Sequence, residues 1–265
     1  MSVPVTWHLD AAAVCALIGA IAGLFVPALI ARLPEPALEP DLAPEPELEH
    51  EHVPGEADVT LPARPTEPVV EEPKELYADL AALPGLRWKT ALASAVVAGL
   101  LGAAVGWSPA LGPLLYLAPV GVALAVIDWR TRLLPTRVIA PSYLVVALLV
   151  VLAAALERDW HPLANAGWGW LVAGGTFFVL WFVYPRGMGY GDVRLSGVLG
   201  IALGYLGWAE LLTGVYAGFL LGGVGGLLLS ALRIVDRKAY PFGPFMLVGA
   251  VLGVLLGPAV GAWYA

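Results

Sequence analysis

Cysteine is all but absent. The chain has one, Cys15, so no internal disulfide can form and no CxxC metal site is present. Histidine is scarce as well. His8, His50, His52 and His161 share no metal-ligand spacing, and the nearest pair, in His50-Glu51-His52, sits in an acidic low-complexity run that reads as solvated. Neither a metal nor another cofactor is expected. Charge is also in short supply: 13% of the residues are charged, 59% are hydrophobic and the mean hydropathy is +0.80. A soluble domain has roughly 25% charged and about 45–50% apolar residues, so the composition excludes a soluble enzyme and indicates an integral membrane protein. No basic cluster interleaved with aromatics is present, which excludes a nucleic-acid surface. No Lys or Arg precedes the first apolar run, whereas a cleaved signal peptide needs a basic start. That run is therefore expected to remain as a membrane helix.

The net charge of −7 is unevenly spread. Residues 33–86 hold 14 Asp and Glu against 2 Lys and Arg, a net of −12; the rest of the chain has a net of +5. The acidic stretch also carries Pro34, Pro36, Pro40, Pro44, Pro46, Pro54, Pro62, Pro65, Pro68 and Pro73. Such a segment cannot bury enough apolar surface to offset its chain entropy, so it is expected to be disordered or extended, with a short helix over 74–83.

What remains is apolar. After the run at 11–31 come seven more: 90–105, 111–127, 138–156, 166–184, 193–207, 211–232 and 242–264. Each is near the roughly 20 residues that a spanning helix needs, although 193–207 is short. The fold class is therefore all-α, a polytopic membrane protein of about eight transmembrane helices. Its expected divisions are a first helix at 1–32, the acidic loop at 33–86 and a seven-helix core at 87–265. Gly249, Gly253, Gly257 and Gly261 fall on one face of the last helix, as do Gly218, Gly222 and Gly226 on the seventh. These stripes are expected to be packing surfaces rather than cofactor loops, and Cys15 a packed thiol.

Loop charge orients the helices. The linkers at 128–137, 185–194 and 233–240 carry Arg130, Arg132, Arg137, Arg186, Arg194, Arg233, Arg237 and Lys238, while the opposite linkers carry only Arg158. The positive-inside bias puts the first set, and the acidic loop with it, in the cytoplasm, with both termini outside. Asp128 then lies at the cytoplasmic end of the third helix and Asp192 at the cytoplasmic start of the sixth. Two carboxylates that share a site hold a proton between them, and such a pair can activate water with one member while the other polarises a carbonyl. No Ser/His/Asp or Cys/His set competes. Alternatively, each acid pairs with Arg130, Arg132 or Arg194 at the interface, as Asp236 is expected to do among Arg233, Arg237 and Lys238. Glu157, Asp159, Glu210 and Asp10 fall on the outer side.

The stretch Gly187-Met188-Gly189-Tyr190-Gly191-Asp192-Val193-Arg194-Leu195 puts three glycines before its acid. Glycine lets another backbone approach closely. Gly189-Tyr190-Gly191-Asp192 resembles the GxGD signature of membrane aspartyl proteases, and the longer run resembles the type IV prepilin (leader) peptidase version. Asp128 with Leu134-Pro135 is similar to that family's first-aspartate element, and Pro241-Phe242-Gly243-Pro244-Phe245 to its third element. The resemblance implies a multi-pass enzyme of the cell membrane that cuts leader peptides from type IV pilin-like precursors at the cytoplasmic face. Asp128 and Asp192 would be its catalytic pair, with Gly189, Gly191, Pro241, Phe242, Gly243 and Pro244 positioning the substrate. Its partners would be a prepilin-like membrane-helix substrate and the lipid bilayer. Gly23-Leu24-Phe25 through Ala31-Arg32-Leu33-Pro34 resembles the first-helix motif only in its Arg-x-Pro ending. The paired CxxC sequences that bind zinc in many members are missing, so neither structural zinc nor methyl transfer from S-adenosylmethionine is expected. A preflagellin or signal-peptide-type GxGD protease has the same chemistry with another substrate; a non-enzymatic transporter or scaffold is the alternative from a different class.

Overall fold

The computed structural model describes residues 7–35, 76–185, 188–232 and 241–264. Most of the acidic loop, with His50 and His52, lies outside the described residues, as do Gly187 and Asp236. Ten helices follow in order: α1 (Leu9–Gly23), α2 (Val26–Ala31), α3 (Tyr77–Ala81), α4 (Leu86–Val105), α5 (Leu111–Thr131), α6 (Thr136–Glu157), α7 (His161–Val183), α8 (Tyr190–Leu206), α9 (Trp208–Ala231) and α10 (Gly243–Tyr264). A break at Leu24 and Phe25, ahead of Pro27 in the first turn of α2, separates α1 from α2, yet together they make one span. Seven described helical segments are long and apolar enough to cross a membrane. The eighth, α8, has 17 residues. Val193, Leu195, Val198, Leu199, Ala202 and Leu203 are all buried, so α8 runs through the centre of the bundle and presents little surface to lipid.

Glycine seams join the spans in pairs. Between α1 and α4, Gly19 lies on the Ser94 backbone, Gly23 on Ala91, and Gly102 on Cys15, whose side chain is 1% exposed. Thr90 Oγ1 also donates to the Gly23 carbonyl across this seam, at 2.9 Å. Between α7 and α8, Gly169 faces Gly200 and Gly204. Between α9 and α10, Gly249 and Gly253 lie on Gly218 and Gly214, and Gly257 on Glu210. Lipid tails are as apolar as leucine, so close backbone approach, rather than exclusion of water, holds such pairs together. The expected stripe on the last helix is therefore a packing surface. On α9, Gly218 serves the seam while Gly222 serves a different neighbour, described below.

The spans alternate, so both ends of the described chain lie at one end of the bundle. There Asp10, Glu157 and Asp159 are taken up by local donors. Asp10 accepts from Trp107 Nε1 at 2.7 Å, Glu157 from Ser108 Oγ at 2.9 Å and Tyr205 Oη at 3.0 Å, and Asp159 from the His161 N–H at 3.0 Å. Asp128 and Asp192 lie at the opposite end. Beside them α2 and α3 form a small corner in which Val26, Ile30, Tyr77, Leu80 and Leu86 pack on Ala123 and Ile127 of α5. Glu35 receives the Tyr77 and Ala78 N–H groups at 2.8 and 3.0 Å, which caps α3. This short helix falls inside the stretch predicted as 74–83. The two ends of the Pro/Glu-rich run are thus fastened to each other and to α5.

Candidate active site

Asp128 stands on the last turn of α5. The helix stops there because Arg132 takes a left-handed conformation, φ 56°, and Leu133, Leu134 and Pro135 then lead into α6. Asp192 stands on the first turn of α8 and reaches back to accept the Gly189 N–H at 3.2 Å. A carboxylate at that position faces the positive end of its helix dipole. Asp128 is at the wrong end of α5 for this, but α10 compensates: the N–H of Gly243, its first residue, donates to Asp128 Oδ2 at 2.9 Å. Both carboxylates are buried, 4% and 7% exposed, and Asp192 lies within reach of the Asp128 charge. Each acid therefore keeps one oxygen on a backbone N–H at a helix start.

Leu134 ties the three sequence elements together. A Cβ at Gly191 would lie 2.7 Å from Leu134 Cβ, and one at Gly243 would lie 3.4 Å from Leu134 Cδ2 and 2.7 Å from Asp128 Oδ2. The first-aspartate element, the glycine–aspartate turn and the proline–phenylalanine corner thus meet at one point. Gly189, by contrast, has an ordinary extended backbone, φ −71° and ψ 143°, with room for a Cβ 3.4 Å from Asp192 Oδ2. Phe242 anchors the corner from the other side. Its ring packs against Gly222 of α9, and its centroid lies 5.9 Å from that of Phe177 and 5.8 Å from that of Phe219, which are themselves stacked at 4.8 Å. Pro241 is buried beside it, and Pro244 occupies the first turn of α10, where its missing N–H costs nothing.

Arg194 does not serve Asp192 as a counter-ion. Its guanidinium lies 4.6 Å from the Tyr190 ring centroid and donates to Thr136 Oγ1. Tyr190 in turn leans on Trp181 at 4.9 Å, and Tyr143 Oη donates to the Arg194 carbonyl at 2.7 Å. Tyr77, one turn from Asp128 on the α3 side, reaches Thr131; burial, and then the Glu35 carboxylate, push its phenol above the ordinary range, so it stays neutral. Sequence reasoning missed Glu35, Tyr77, Phe177, Phe219 and Gly222. Only Gly222 left a trace, as one member of a glycine stripe. Among the described residues no three His, Cys, Asp or Glu side chains gather as a metal site would need.

The fold and the paired acids define a polytopic α-helical membrane protein that brings two buried carboxylates together at one end of its bundle. Residues 115–227, which include both acids, match the type IV leader peptidase family. It is similar to a prepilin leader peptidase/N-methyltransferase of Aeromonas salmonicida strain A449, 34% identical over 184 residues, covering 66% of this chain and 58% of the relative. Proteins of the same name from Aeromonas hydrophila and Dickeya chrysanthemi are 33% and 34% identical over 177 and 181 residues, each covered over 58% of its length. The chain thus spans less than two thirds of the length of these relatives. No solved structure matches it.

Proposed function

We propose that this protein is a membrane aspartyl endopeptidase that removes leader peptides from type IV pilin-like precursors at the cytoplasmic face of the cell membrane. The observation that carries this proposal is the pairing of Asp128 and Asp192: both buried, each held by one backbone N–H, with Asp192 within reach of the Asp128 charge. One carboxylate takes a proton from a water molecule as its oxygen attacks the scissile carbonyl carbon. The other, protonated, gives its proton to the carbonyl oxygen. As the resulting gem-diol collapses, the carboxyl that holds the proton gives it to the leaving nitrogen, a diol hydroxyl passes its own proton to the other carboxylate, and the C–N bond breaks, which leaves the pair with a single shared proton. A carbonyl in a helix is blocked by its own hydrogen bond, so the substrate is cut where its chain is extended. The cytoplasmic assignment is supported by charge. Of the eight described Lys and Arg, Arg32, Arg87, Lys89, Arg130, Arg132, Arg137 and Arg194 lie at the aspartate end and only Arg158 at the other.

The relatives' name includes an N-methyltransferase. We leave that activity out of the proposal, because these 265 residues have one cysteine and a Pro/Glu-rich run where many family members carry paired CxxC sequences. The test is cleavage of a pilin-like precursor by the purified protein in detergent. Asp128→Asn and Asp192→Asn keep nearly the same shape but can neither take nor give the proton. Each is expected to lower the rate by at least the roughly 10²–10⁴-fold that acid–base help provides, with the protein still folded and inserted. Mass spectrometry of the mature product is expected to show an unmethylated amine. Parental-rate cleavage by Asp192→Asn would overturn the proposal.

A further inference from the structure

Away from the aspartates, α4, α5 and α10 leave an apolar groove between them, with α8 as its floor. Leu101, Leu114, Ala118, Ala202, Leu247 and Val251 are among its walls, and its volume is about 190 Å³. A second cavity, about 420 Å³, lies towards the aspartate end beneath Leu83, Lys89, Trp129 and Arg130. Val122, Ala125 and Pro244 line both, so the two adjoin. Through Pro244 the cavities come within one residue of the Gly243 N–H that holds Asp128.

We propose that this groove receives the membrane helix of the substrate and delivers its end to Asp128 and Asp192, a proposal that rests on the peptidase function above. The wall favours a helix: Ala118, Gly121, Ala125 and Ala250 are small, and small residues let a helix backbone come close. The length fits too. From Val254 to Pro244 the groove follows ten residues of α10, about 15 Å at 1.5 Å per residue, or roughly half the hydrocarbon core. The lining turns basic, with Lys89 and Arg130, at the level of Asp128. That is where a chain leaving the bilayer becomes polar and can unwind. Residues 36–75 of the chain itself do not suit the groove, since they are acidic and proline-rich.

Disulfide mapping tests the proposal. The full chain as Asp192→Asn, carrying either Ala125→Cys or Val251→Cys, is mixed in vesicles with a precursor bearing single cysteines along its apolar helix. Cys15, 1% exposed, stays silent. Disulfides are expected with both groove positions, recurring every third or fourth residue of the precursor, and not with Leu148→Cys, which is 65% exposed on α6. Equal coupling at Leu148→Cys would overturn the groove. So would disulfides only between two copies of the protein, which would make a second copy the occupant. If the parental protein cuts the precursor but no groove disulfide forms, the groove belongs to lipid and the peptidase stands. If the parental protein never cuts it, the peptidase function itself fails. Ala125→Leu, which fills the junction of the two cavities, is expected to raise KM for the precursor roughly tenfold with kcat retained, as loss of uniform binding does.

Discussion

Single atoms decide what the two carboxylates can do. Gly243 is the sharpest case, because its N–H holds Asp128 while the missing Cβ leaves space for the carboxylate itself. In Gly243→Ala a methyl would stand 2.7 Å from Asp128 Oδ2 and 3.3 Å from its Cγ, so the carboxylate has to swing away and lose its donor. Cleavage is expected to fall on the order of 10²-fold, the loss that a misplacement of about an ångström produces, with expression and insertion unchanged. The glycines of the GxGD turn are expected to differ from each other. Gly191→Ala drives a Cβ into Leu134 Cβ, close to the backbone, where little can yield. Gly189→Ala meets Asp192 Oδ2 at 3.4 Å in a backbone conformation that alanine readily adopts. Precursor cleavage assays should rank Gly189→Ala well above Gly191→Ala. The reverse order would mean that substrate approach, and not the fit to Leu134, sets the need for these glycines.

At the level of helices, the candidate site depends on parts that touch neither acid. The ring of Phe242 is clamped by Phe177 of α7 and Phe219 and Gly222 of α9, and this clamp fixes where α10 begins. Gly222→Ala places a methyl in the ring of Phe242. We expect it to lower kcat more than it changes KM, because the Gly243 N–H moves off Asp128 while the groove keeps its shape. An unchanged kcat would show that α10 is held by its glycine seam alone. This clamp was not legible in the sequence. Asp128, Asp192, Leu134 and Pro135 lie in recognisable local patterns, and each apolar run announces its own helix. Which aromatic ring meets which glycine is a property of pairs of helices far apart in the chain. The same limit hid Glu35, one acid among the 14 of residues 33–86, which is set apart only by the two N–H groups of α3 that it meets in space. The shortness of the run at α8, by contrast, is visible in the sequence, whereas its central, buried place among the other helices is not.

Over the whole molecule, the distribution of charge and the alternation of eight helices have to agree, and they do. Counting the helices from sequence worked because each must supply its own backbone hydrogen bonds inside lipid, which makes every span a continuous apolar run. Placing Asp128 and Asp192 at one end needed only the parity of that count. Bringing them together needed α8 to lie centrally against α6, α7 and α10, which no run of residues announces. The resulting bundle has seven described bases at the aspartate end and one at the other, where Asp10, Glu157 and Asp159 are occupied by Trp107, Ser108, Tyr205 and the His161 N–H. The orientation that follows is open to direct measurement. Arg137→Cys, exposed at the start of α6, should react with a membrane-impermeant thiol reagent only in inside-out vesicles. Asp159→Cys, exposed at the other end of the same helix, should react only in intact cells. Buried Cys15 leaves the background silent in both. If Arg137→Cys were labelled from outside, the positive end would face away from the cytoplasm, and the aspartate pair could not meet a precursor leader before the chain is exported.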